Sequence, residues 1–162
     1  MKRILFVCLG NICRSPMAET IMRRMVNEAG RSEEFEIDSA GLINYHEGEQ
    51  ADERMRRHAA RHGYNITHRS RPIRTEDFRR FDWIVGMDDG NIDRLRQLSP
   101  DLETDKKIRR ITEFFMEKVA DHVPDPYYGG EQGFEEVIEL LEDACRGIIR
   151  TWPSIIQKEK NC

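Results

Sequence analysis

Long apolar runs are missing from this chain. Of its 162 residues, 38% are hydrophobic and 35% charged, and no stretch approaches the roughly 20 apolar residues of a membrane-spanning helix. A secretory leader is not expected either, because Lys2-Arg3 leads into only Ile4, Leu5, Phe6 and Val7 before the pattern breaks. Internal repeats, linkers and low-complexity segments are absent as well. One domain is therefore expected over residues 1–157, followed by a short tail at 158–162. No group of histidine, cysteine and carboxylate residues has the spacing of a metal site, so neither a metal nor a cofactor is expected. The net charge of −4 hides an asymmetry: residues 51–80 hold nine arginines against four acids, and the last third is acidic. That pattern reads as solvated helix faces, or as a basic rim that gathers acidic substrates. No motif supports nucleic-acid binding.

What is present is one dense stretch, Val7-Cys8-Leu9-Gly10-Asn11-Ile12-Cys13-Arg14-Ser15-Pro16. It follows a short apolar run that reads as a buried strand, and it precedes an amphipathic helix pattern. The backbone N–H groups of Leu9 to Ser15 can converge on one point if the chain wraps Cys8 as a nest. A helix starting near Ser15 aims its positive end at the same point. Arg14 adds a planar fork suited to two phosphate oxygens. All three favour negative charge on or beside the Cys8 sulfur, and the thiolate is the form that attacks. Gly10 lets backbone approach a ligand closely, and Asn11 suits a left-handed position. Ser15 is expected at the N-cap and Pro16 at the first helical position. The Ser15 hydroxyl could also support the sulfur as a leaving group. Together these residues describe an anion trap with a nucleophile at its floor.

At these residues the chain resembles the low-molecular-weight protein tyrosine phosphatases. Their Cys-x5-Arg-Ser signature reads here from Cys8 to Arg14-Ser15, extended by Pro16-Met17-Ala18-Glu19. The resemblance continues in Asp38-Ser39-Ala40-Gly41, in Asp82-Trp83-Ile84-Val85-Gly86-Met87-Asp88 and in Asp125-Pro126-Tyr127-Tyr128-Gly129. It implies Cys8 as nucleophile, Arg14 as phosphate binder and Asp125 as general acid and then base. It also implies a supporting network of Asn11, Ser15, Ser39 and His68, and a substrate cleft walled by Tyr45, Tyr127 and Tyr128. The implied reaction is metal-independent hydrolysis of phosphotyrosine, and of small aryl phosphates, through a phosphocysteine. Its partners would be phosphotyrosine-containing proteins and the kinase that makes them. Ile12, apolar at the pocket entrance, favours an aromatic ring. In the related arginine phosphatases a threonine stands there and the double tyrosine is usually absent. Arsenate reductases on the same scaffold need resolving cysteines, and residues 78–98 contain none.

Cys13 reads either as packing or as a resolving thiol for an oxidised Cys8. Cys145 falls on an apolar helical stripe and is expected to be inert core, while Cys162 has no assigned role. His46, His58 and His62 are expected to be solvated. Asp88 is expected at least to cap a helix, with a role near the pocket second. A cytoplasmic location is expected, because a reactive thiol suits a reducing compartment, and a monomer is expected, with weak self-association as the alternative. Two rival readings stand beside the phosphatase: a phosphopeptide-binding module without turnover, and a Cys8–Cys13 redox sensor.

Strands are expected at 3–8, 35–39, 83–87 and, with helix as the alternative, 108–114. Helices are expected at 16–29, at 52–62, after Asp88 or Asp89, and at 132–151. This alternation predicts an α/β domain: an open parallel sheet of about four strands, helices on both faces, and an anion loop after the first strand.

Overall fold

The structure, a computed structural model, describes residues 1–152. The expected boundary at 157/158 and Cys162 lie outside the described residues. Four parallel strands form one sheet in the order β2-β1-β3-β4. They are β1 (Lys2–Cys8), β2 (Phe35–Gly41), β3 (Trp83–Gly86) and β4 (Ile108–Arg110). The helices are α1 (Arg14–Glu28), α2 (Glu53–Arg61), α3 (Thr75–Arg80), α4 (Asp89–Leu98), α5 (Leu102–Asp105) and α6 (Glu131–Thr151). Among the described residues no helix is long and apolar enough to cross a membrane.

The fold class is the expected one, and β1 shows why. Ile4 to Val7 are fully buried, because β1 lies inside the sheet and both its faces are covered. Ile4, Phe6 and Cys8 join the core built with α1 and α6, whereas Leu5 and Val7 join the core of α3 and α4. The period-2 alternation of a strand distributes one apolar run between two cores. From β1 the chain crosses to β2 on one side and later to β3 on the other. The order therefore reverses at β1, which opens a crevice at the carboxyl ends of β1 and β3. Cys8 ends β1, and Asp88 follows β3.

Several boundaries move. The first helix begins at Arg14 with Cys13 at the N-cap and no side-chain cap, so Ser15 is not the cap. Its hydroxyl is engaged with Cys8 and Asn11 instead. The fourth strand stops at Arg110, and Ile111–Phe114 forms a 3-10 turn that buries Ile111 and Phe114 on one side. Helices α3 and α5 were not expected; at six and four residues they are too short to display a helical period. Asp88 does cap α4, accepting from the Asn91 N–H at 2.8 Å.

Candidate active site

The 8–15 loop is turned inside out by its neighbours. The carbonyls of Cys8 and Leu9 accept from the Leu42 N–H, that of Gly10 from the Ser70 hydroxyl, and that of Ile12 from the Asp52 N–H. In a trans peptide the next N–H points opposite the carbonyl. The N–H groups of Leu9, Gly10, Asn11 and Cys13 therefore face the concave side, which makes an anion nest. The Ser15 N–H points at the Cys8 sulfur at 3.5 Å, and the Ser15 hydroxyl lies 3.0 Å from it. Cys8 is buried beneath this ring.

Asn11 fastens the ring from outside. It sits at φ 57°, in the left-handed region expected of it. Its amide donates to the Ser15 hydroxyl (2.8 Å) and the Ser39 hydroxyl (3.0 Å). Its carbonyl accepts from the Arg71 N–H (3.0 Å) and faces His68 Nε2 (2.8 Å). The other His68 nitrogen is 3.0 Å from Glu19, so both ring nitrogens face acceptors. Burial opposes ionisation of Glu19, but His68, Arg23 and the Ser39 hydroxyl outweigh it and hold its pKa below the usual carboxylate range. Glu19, Asp38 and His68 form the one group among the described residues with a metal-like arrangement. Their atoms are already taken by one another and by Ser39, Arg23 and Arg71, so the cluster works as a brace.

Arg14 is buried and held from behind: Nη1 donates to Asp88 at 2.6 Å and to the Val123 carbonyl at 3.1 Å. Nη2 lies 3.6 Å from the Asp125 carboxylate. Burial works against the Arg14 charge, yet Cys8, Asp88 and Asp125 keep its pKa above the ordinary value. Asp88 titrates below its ordinary value, since the Arg14 and Asn91 bonds overcome its burial.

These groups meet in one open cleft. Cys8, Arg14 and Asp125 line it, as do Leu9, Gly10, Ile12 and Cys13 of the loop and the rim tyrosines Tyr45, Tyr127 and Tyr128. Tyr127 and Tyr128 pack edge to face at 4.9 Å. Ser15, Asn11, Ser39 and His68 lie outside the cleft and support its floor. Burial, followed by Asp52, Cys8 and Asp125, raises the Cys13 pKa far above that of a free thiol. The structure keeps Cys13 as a neutral thiol.

Two histidines differ from expectation. His46 lines the cleft, with Nδ1 2.7 Å from Glu49 and its ring 6.3 Å from Tyr127. His58 is fully buried, stacked on Phe134 with Nδ1 2.7 Å from Glu135, because α2 lays it against α6. Glu19, Asp52, Arg54 and Ser70 escaped the sequence reading. Glu19 alone had a signal, as the last residue of the block that extends the Cys-x5-Arg-Ser stretch.

An open parallel α/β sheet with a thiol in an anion nest at its switch point defines a class: phosphate-handling proteins with a cysteine nucleophile. The comparisons narrow it. Residues 3–161 match the family model described as low molecular weight phosphotyrosine protein phosphatase. A low molecular weight protein-tyrosine-phosphatase from Streptomyces coelicolor is 43% identical over 149 residues, covering 91% of each chain. A protein tyrosine phosphatase structure from Entamoeba histolytica superposes with a TM-score of 0.89 at 43% identity, covering 99% of both chains. A Drosophila arginine phosphatase has a TM-score of 0.87 at 31% identity, covering 96% of this chain and 99% of its own. The chain belongs to the low-molecular-weight phosphotyrosine protein phosphatase family.

Proposed function

We propose that this protein hydrolyses phosphotyrosine in proteins, and small aryl phosphates, through a phosphocysteine on Cys8. The observation that carries the reading is the convergence of Cys8, Arg14 and Asp125 in one cleft with an aromatic rim. Cys8 Sγ forms a bond to phosphorus as the ester P–O bond breaks. The nest N–H groups and Arg14 stabilise the charge on the equatorial oxygens. Asp125 gives its proton to the departing phenolate, a leaving group of pKa about 10. In the second step Asp125 takes a proton from water as its oxygen attacks phosphorus. The S–P bond breaks, and the Ser15 hydroxyl, 3.0 Å away, supports the released sulfur.

Ile12 and the three rim tyrosines give the cleft apolar walls, which suit the ring of phosphotyrosine and leave a short phosphoserine side chain without contacts. The Drosophila arginine phosphatase shares the fold, so substrate choice rests on these side chains rather than on the scaffold. A reducing compartment such as the cytoplasm keeps Cys8 available for attack. The test is Cys8→Ser. Turnover of aryl phosphates should vanish while phosphate still binds; a variant retaining wild-type rates would sink the assignment.

A further inference from the structure

The segment carrying Asp125 is irregular, and one side chain from α2 ties it down. Arg54, in the first turn of α2, donates from Nη2 to the Tyr127 carbonyl at 2.9 Å. The same guanidinium donates to Asp52 from Nε at 3.2 Å and from Nη2 at 3.1 Å. It also lies over the rings of Tyr127 and Phe134, at 5.5 and 4.9 Å from their centroids. Asp52 is fixed in turn. Its carboxylate caps α2 by accepting from the Arg54 and Met55 N–H groups, and its own N–H donates to the Ile12 carbonyl at 2.8 Å. At the far end the Tyr127 N–H donates to Asp125 Oδ1 at 3.0 Å. A continuous path therefore runs from Ile12 in the Cys8 loop through Asp52, Arg54 and Tyr127 to Asp125.

We propose that Arg54 is a positioning residue, setting the Asp125 carboxyl at a fixed height above the Cys8 loop. The proposal rests on the reading of Asp125 as proton donor. A planar fork suits holding Asp52 on one side and the Tyr127 carbonyl on the other while lying over two rings. Proton donation works only within hydrogen-bond reach, and displacement by about 1 Å costs on the order of 100-fold. The effect of Arg54 thus depends on how much the leaving group needs a proton.

The experiment measures kcat/KM for Arg54→Met, Arg54→Lys, Asp125→Ala and the double variant Arg54→Met with Asp125→Ala. The substrates are aryl phosphates running from strongly activated nitrophenols to unactivated phenol. Arg54→Met should lose roughly tenfold or more with phenyl phosphate and less than about threefold with the most activated ester. Inhibition by inorganic phosphate should stay within about threefold of wild type, because the nest is intact. Arg54→Lys should keep most of the loss, since one ammonium nitrogen cannot reproduce the Nε and Nη2 geometry on Asp52 and the Tyr127 carbonyl. Added to Asp125→Ala, Arg54→Met should cost less than about twofold more, as expected of residues acting as one unit.

A uniform loss across the series, or a full additional loss in the double variant, would overturn the proposal. If Asp125→Ala depends steeply on the leaving group and the Arg54 variants do not, only the role of Arg54 falls. If Asp125→Ala itself shows no such dependence, the acid assignment falls and this inference with it. Should Arg54→Met lose phosphate binding, Arg54→Lys carries the comparison.

Discussion

At the scale of single residues, the site depends on how closely backbones approach. Gly41 pairs with Cys8 across β1 and β2. A Cβ there would lie 3.1 Å from each of Asn11 Cβ, the Gly10 carbonyl carbon and the Leu9 oxygen. Two of those atoms are backbone of the nest, so relief has to come from moving it. Gly41→Ala should cost about 1–3 kcal/mol of stability and, because the N–H groups shift, about tenfold or more in kcat/KM. Urea unfolding and steady-state kinetics check both, and unchanged kinetics would mean that the nest yields freely. Ser15 makes a related point. Its type suits a helix cap, but a hydroxyl 3.0 Å from the Cys8 sulfur serves the site instead.

Among the elements, α6 supplies a large share of the main core. It packs on α1 and carries Phe134, Val137, Ile138, Leu141, Cys145 and Ile148 into the main core. Glu135 bonds His58 and His62 and so ties α6 to α2, the helix that presents Arg54. Gly147 lets α6 reach the 3-10 turn: a Cβ there would sit 1.8 Å from the Phe114 oxygen. In a free helix Gly→Ala gains about 1 kcal/mol. Here the helix must move off the turn, and overpacking costs about 1–3 kcal/mol or more. Gly147→Ala should therefore be destabilised in thermal melts; a raised Tm would show the contact to be soft.

For the whole molecule, the buried carboxylates set the acid limit. Asp143, buried on α6, accepts from the N–H groups of Met116, Glu117 and Lys118. Burial opposes its charge, but those three bonds and Arg146 hold its pKa below the ordinary range. Glu19 and Asp88 are depressed likewise. A folded-state pKa below the unfolded one stabilises the protein above the unfolded pKa, and that stabilisation is lost as pH falls through the folded pKa. The urea midpoint should stay level down to about pH 5 and fall below about pH 4. Asp143→Asn should flatten that fall; an unchanged pH profile would remove Asp143 from the account.

Across the whole chain, local order was legible and long-range pairing was not. The strand, loop and helix from Lys2 to Glu28 are contiguous, so period and residue type alone revealed the nest, and the 3.6-residue stripe of α6 was equally clear. The same alternation of strands and helices pointed to a parallel sheet with a crevice at the carboxyl end of β1. Periodicity carries no distance between segments far apart in sequence. Only the fold decided that Asp88 and Val123 grip Arg14, that Glu19 holds Ser39 and His68 behind Asn11, and that α2 buries His58 while sending Arg54 to Tyr127. Each of these is a polar group whose partner lies on another element, and burial makes leaving it unpaired costly. Folding therefore selects the partner, which the chain order does not name.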